Sequence, residues 1–273
     1  MEASNDAAAD TPVVVERRGA ALWLTLNRPQ RRNGLAPETI AALSAGLDIA
    51  ERDASIRAVV LTAYGPTFCA GADLKYLRRL ARLPAAEAAE TQQRLLAAMG
   101  DTLDRMERLA QPVIGAVNGL TLAGGLELVL ACDFVVSVRS ARFGDAHANY
   151  GLIPGGGGSV RLPRRVGPAT ARYLMYTGDS MPAEELAHTD LITRVVDDDQ
   201  LESVVQTLVS QLSTKSPLGV STMKRLVFDS LDAPLADGLR MELDAARDHS
   251  LSADMAEGLA AFADKRTPQF SGR

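Results

Sequence analysis

Three unbroken apolar runs, AVVLT at 58–62, VIGAV at 113–117 and FVVSV at 134–138, restrict this chain more than any other feature. A short run without polar alternation fits a strand covered on both faces, as in a sheet whose crossover helices lie over it. The stretches between the runs carry a different period. Ile40, Leu43, Leu47 and Ala50 recur at helical spacing behind Pro37, a residue suited to a first helical position, so a helix is expected over 37–52. Leu96, Met99, Leu103, Met106 and Leu109 mark a long helix before the second run, and GLELVLAC at 125–132 a short buried one after it. ALWLTLN at 21–27 alternates Leu22, Leu24 and Leu26 with other side chains and reads as a strand, ended by NRP. Two periods in alternation predict an α/β domain.

After about residue 200 the strand signal stops. Leu201, Val204, Val205, Leu208 and Leu212 form one helical stripe, Val220, Met223, Leu226 and Val227 a second, and Leu251, Met255, Leu259 and Phe262 a third. The expected organisation is a flexible tail over 1–11, a core over 12–200 and a helical region over 201–273. The tail, MEASNDAAADTP, is acidic and polar, which fits neither a secretory signal nor a mitochondrial presequence. No apolar run approaches the about 18 residues of a membrane span. The net charge of −5 and the scattered lysines and arginines oppose a nucleic-acid surface. Cys69 and Cys132 form no CxxC pair, and with three histidines a zinc site is not expected. A reducing, cytoplasmic setting is the simple reading.

Three stretches carry candidate chemistry. FGDAHANYGLIPGGGG at 143–158 holds four consecutive glycines. No lysine follows them, so they are not a P-loop, and no GxGxxG joins strand to helix with a later acid, so a tight turn is expected. LTLAGGLELVLACD at 120–133 leads two glycines into a helix start, whose unpaired amides suit an oxyanion; Glu127, in the first turn, either serves such a site or merely answers the helix dipole. TFCAGADLKYL at 67–77 contains the small turn Ala70-Gly71-Ala72, either a second source of a free amide or an ordinary loop with Asp73 as a helix cap.

Taken together and in order, LNRP (26–29), VVLT…FCAGADL (59–74), QPVIGAVNGLTLAGGLELVLACD (111–133), ARFGDAHANYGLIPGGGGSVRLPRRVG (141–167) and EGLAAFADKRTPQFSGR (257–273) resemble the enoyl-CoA hydratase/isomerase, or crotonase, superfamily over nearly the whole chain. The resemblance implies a spiral of ββα units with C-terminal helices that assemble homotrimers or dimers of trimers. It implies an acyl-CoA thioester substrate, coenzyme A being part of that substrate and no separate cofactor being needed. The two amides that hold the thioester oxygen fall on Ala72 and Gly124. Ala70, Asp73, Leu74 and Lys75 beside the first amide, and Phe262 and Lys265 near the C-terminus, fall where relatives contact substrate or coenzyme A; Phe262 is equally suited to helix packing. The helix around 78–100 is expected to wall the acyl pocket.

Hydratases of the superfamily share a water between two glutamates. The first falls on Glu127. The second falls on the third residue after the FG pair, and here that residue is His147. Either the imidazole replaces the acid, or Glu127 acts alone beside a pocket-shaping His147, or the reaction has changed; Asp145 is a possible auxiliary. The expectation is an acyl-CoA enzyme, most simply a hydratase-like lyase, with Glu127 and His147 as the acid/base pair. An isomerase or thioester hydrolase on the same scaffold is the enzyme alternative. A non-catalytic coenzyme A-binding subunit is the alternative of another class, against which a retained, partly buried Glu127 argues.

Overall fold

A computed structural model of the chain describes residues 11–273. The tail expected over 1–11 lies outside the described residues except for Thr11, whose carbonyl accepts a hydrogen bond from Asn27 Nδ2 at 3.1 Å.

Strands β1 (Val13–Arg18) and β2 (Ala21–Leu26) form an antiparallel hairpin, followed by helix α1 (Pro37–Arg52). Next come β3 (Ala58–Ala63), β4 (Thr67–Cys69), α2 (Leu74–Leu80) and α3 (Ala85–Arg108), then β5 (Val113–Val117), β6 (Leu120–Leu122) and α4 (Gly124–Leu130). β7 (Phe134–Val138) and β8 (Arg142–Gly144) precede α5 (Gly158–Val166) and α6 (Pro168–Thr177). β9 (Ser180–Pro182), α7 (Ala183–Leu186) and β10 (Arg194–Val196) complete the strand-bearing part. The large sheet runs β1-β2-β3-β5-β7-β10, parallel from β2 onward, and the small sheet runs β4-β6-β8-β9. The pairs β3/β4, β5/β6 and β7/β8 each place one strand in each sheet before a helix returns the chain, which makes a spiral of ββα units.

The apolar runs are explained by two cores. Leu22, Leu24, Leu26, Val59 and Leu61 face a core shared with α1, α3 and α4. The alternate residues Ala21, Trp23, Val60, Ile114 and Val136 face a second core closed by Val205 and Val209. Those two valines belong to α8 (Leu201–Ser213), so this helix lies on the core side of the boundary expected at 200/201 and covers the outer face of the large sheet. Beyond it follow α9 (Pro217–Ser230), α10 (Leu235–His249) and α11 (Ala253–Asp264). No strand follows Val196 among the described residues. α10 has no counterpart among the expected helical stripes, although Leu235, Leu239 and Leu243 carry its period. The helix expected around 78–100 is two helices, parted before Pro84, the N-cap of α3. Proline disfavours helical conformation in the residue before it.

Candidate active site

The turn after β4 and the start of α4 meet at their glycines. Gly71 has φ 93°, and a Cβ there would lie 2.8 Å from Ala123 Cβ and 3.5 Å from Gly124 N. A Cβ on Gly125 would collide with the carbonyl of Cys69. Only bare backbone allows the turn after β4 and the start of α4 to touch. Ala123, the N-cap of α4, adopts φ 49° and ψ −118°, a sparsely populated conformation for a residue with a side chain, and its amide is tied to the carbonyl of Gly144 at the end of β8. Around Ala72 the backbone is engaged on both sides: Leu35 N donates to Gly71 O, and Asp73 N donates to Leu35 O. The amides of Ala72 and Gly124 have no hydrogen-bond acceptor among the described residues. For Gly124 this follows from its place as the first residue of a helix.

Glu127 lies in the first turn of α4, and every residue of that helix is buried. It is 4% exposed. Oε1 accepts from the amides of Gly156 at 2.7 Å and Gly158 at 2.9 Å. Oε2 has no hydrogen-bond partner among the described residues, and it faces the start of the helix, where a Cβ on Gly124 would lie 3.9 Å from it. Burial pushes the carboxyl above its ordinary range, although the two amide donors and the neighbouring His147 oppose that shift. The glycine run is therefore not a free-standing turn. Gly157, at φ 95°, is the N-cap of α5, and Gly158 is that helix's first residue. A Cβ at Gly156 would stand 2.8 Å from Glu127 Oε2, so the run presents amides to the carboxylate where any side chain would displace it.

His147 opens a 3-10 turn over His147–Tyr150. Its Nδ1 lies 3.1 Å from Oδ1 of Asp145, which is 2% exposed, and its backbone amide donates to the same oxygen at 3.3 Å. Burial disfavours the imidazolium, but the hydrogen bond and charge of Asp145, with the charge of Glu127, outweigh it and raise the His147 pKa. Glu127, His147 and Asp145 thus form one electrostatic cluster.

The remaining expected residues are placed elsewhere. Asp73 caps α2 through the amides of Lys75 and Tyr76 and pairs with Arg28 and Arg31, so its carboxylate is already committed. Ala70 donates its amide to Arg32 O. Leu74 and Lys75 are exposed at the start of α2. Lys265 is the exposed C-cap of α11, and Phe262 is 86% exposed, so in the single chain it neither lines a cavity nor packs within its helix layer. The donors Gly156 and Gly158 escaped sequence reading, because a glycine run carries no mark of which side chain its amides will meet.

The spiral of ββα units with a glycine-flanked carboxylate at its centre is a crotonase-class fold. The chain belongs to the enoyl-CoA hydratase/isomerase family, whose model matches residues 16–273. It is 38% identical over 252 residues to 1,2-epoxyphenylacetyl-CoA isomerase of Escherichia coli (strain K12), covering 92% of this chain and 95% of that protein. It is 35% identical over 265 residues to 2,3-dehydroadipyl-CoA hydratase of the same organism, covering 96% and 99%. The crystal structure of enoyl-CoA hydratase from Bacillus anthracis superposes with a TM-score of 0.90 at 34% identity, covering 96% of this chain and all of that one, 100%. Members of this family are enzymes, and no helix among the described residues is long and apolar enough to cross a membrane.

Proposed function

We propose that the protein adds water to, and removes it from, the double bond of a 2-enoyl-CoA thioester. The amides of Ala72 and Gly124 receive the thioester oxygen and stabilise the enolate-like state, each worth roughly 2.7–4 kcal/mol of barrier. In hydration, the Glu127 carboxylate takes a proton from water as its oxygen bonds to C3. The electron pair of the double bond moves toward the thioester carbonyl, and the His147 imidazolium gives its Nε2 proton to C2. Glu127 then holds the proton that His147 lost, and transfer between them restores the pair. Dehydration runs the same steps backward.

The observation that carries this reading is the state of Glu127: buried, with Oε1 committed to two amides and Oε2 left unpaired beside the start of α4. Purified protein incubated with crotonyl-CoA is expected to lose the absorbance of the conjugated thioester. Free thiol release instead would indicate a hydrolase, and binding without turnover across a panel of acyl-CoAs a non-catalytic subunit. Isomerisation is the second reading, favoured by an isomerase among the relatives; a product of unchanged mass would identify it.

The exposed apolar residues of α9 to α11, among them Val227, Leu235, Leu239, Leu243 and Leu259, support assembly through these helices into trimers or dimers of trimers, testable by sedimentation. Two buried, unpaired cysteines suit a cytoplasmic location. Exposed Lys75 and Lys265 are the cations proposed for the coenzyme A phosphates, with Phe262 beside the latter.

A further inference from the structure

Four consecutive glycines are a poor foundation for a catalytic carboxylate, because glycine has the widest backbone freedom to lose. Yet two of their amides fix Glu127 Oε1. Arg161, one turn into α5, is hydrogen-bonded to this run. Its Nη1 donates to the carbonyl of Gly156 at 2.9 Å. Its Nε and Nη2 grip both oxygens of Glu107 at 2.8 and 2.6 Å, and Nη2 also reaches Asp104 Oδ1 at 2.6 Å. Both acids belong to α3. The Arg161 side chain is 19% exposed and that of Glu107 16%, so this pair is shielded from competing water, whereas Asp104 is 63% exposed. Gly156 is thereby held at both ends: its carbonyl by Arg161, its amide by Glu127. Gly157 is held at φ 95°, where a side chain is strained, and a Cβ there would also meet Arg161 Nη1.

We propose that Arg161 is a positioning residue for Glu127. It ties the Gly156 carbonyl to Glu107 and Asp104 of α3, keeps the Gly156 and Gly158 amides on Oε1, and so holds Oε2 toward the reacting atoms. The inference rests on the reading of Glu127 as the acid/base. The mechanism is geometric. A planar, five-donor fork holds a carboxylate and a carbonyl together, whereas a lysine at the same place is a single point charge on a flexible stem. The charged groups that act on Glu127 are His147 and Asp145. Arg161 comes from α5 and pairs with its two acids on α3. The packed strands bring Cys69, whose thiol burial pushes up to about 12 and keeps neutral.

The test is Arg161→Lys and Glu107→Gln, compared with the parent and with Glu127→Gln by pH-dependent kinetics on crotonyl-CoA and by thermal unfolding. Both loosening variants are expected to lower kcat about tenfold, the effect of losing one hydrogen bond to a charged acceptor, with KM changed less than about twofold. Weaker amide donation destabilises the carboxylate form, so the acid limb of kcat/KM is expected to move to higher pH. Glu107→Gln keeps the side chain's size and one acceptor oxygen, its NH2 replacing the other, and guards against a variant that merely fails to fold. Unchanged kcat and an unmoved acid limb in both folded variants, whatever their melting temperature, would overturn the proposal. If Glu127→Gln itself retains turnover and the acid limb, the underlying reading of Glu127 falls, and the inference with it. If Glu127→Gln abolishes turnover while Arg161→Lys and Glu107→Gln both behave as the parent, only the role of Arg161 is lost.

Discussion

His147 rests its ring on the carboxylate of Asp145, Nδ1 to Oδ1 at 3.1 Å, because the residue between them, Ala146, is in the left-handed conformation at φ 58°. An alanine pays for that conformation in strain, and such strain persists where surrounding structure enforces it. With Nδ1 donating to Asp145, Nε2 is the ring nitrogen left to exchange a proton.

Asp145→Asn removes the charge and the strong acceptor that raise the imidazolium. The His147 pKa is therefore expected to fall, and the basic limb of kcat/KM to move to lower pH. On the proposed mechanism the limbs belong to the Glu127–His147 pair as macroscopic values, so the whole profile should be fitted. A basic limb that stays in place would separate Asp145 from the acid/base chemistry.

His147→Ala is expected to lower turnover about tenfold or more, the range for losing a general acid or base. A variant as fast as the parent removes His147 from the mechanism. His147→Glu restores two carboxylates, and faster hydration in that variant would mean that the native residue serves another reaction.

Glu127→Gln is expected to reduce kcat by about 10²–10⁴-fold while making the fold more stable at neutral pH. The sign follows from the raised carboxyl. A group whose folded pKa exceeds its unfolded value contributes stability that is complete below the unfolded pKa and is lost as pH rises through the folded one. A neutral amide does not lose it. Urea unfolding at pH 5 and pH 8 checks this: the gain should be larger at pH 8.

Gly71→Ala is expected to lower kcat by about 10²–10³-fold, the loss of one of the two proposed oxyanion donors. The new methyl would meet Ala123 Cβ and drive apart the turns bearing Ala72 and Gly124, at a φ that alanine resists. Comparable rates in the variant and the parent would dissociate these amides from catalysis.

Lys224→Met is expected to destabilise the protein without changing kcat. Its ammonium, 8% exposed, donates to Asp133 Oδ2 at 2.7 Å and to the carbonyls of Met106 and Gln111, joining α9 to the core. The expected loss is on the order of 2 kcal/mol, below the range for a fully buried pair because Asp133 retains some access to water. Denaturant titration and the activity of the remaining folded fraction measure the two effects.

Local pattern alone carried much of this molecule. The strands at 21–26, 58–63, 113–117 and 134–138 and the helix at 37–52 stand where their apolar periods put them, since each period reports burial that neighbouring residues share. Glu127 in the first turn of its helix, and the small-residue turns on either side of it, were also legible, because turn chemistry is local. The small sheet was not: β4, β6, β8 and β9 are three residues each, too short to show a period. Nor was the wiring of the site. Glu127 meets Gly156 across 29 residues and Arg161 meets Glu107 across 54, so their pairing is decided by how α3, α4 and α5 pack and by nothing in their spacing. The same packing brought Arg28 and Arg31 to Asp73, whose capping of α2 is local and was legible, and left Phe262 in solvent. Periodicity tells a residue which way to face; only the closed spiral decides what it finds there.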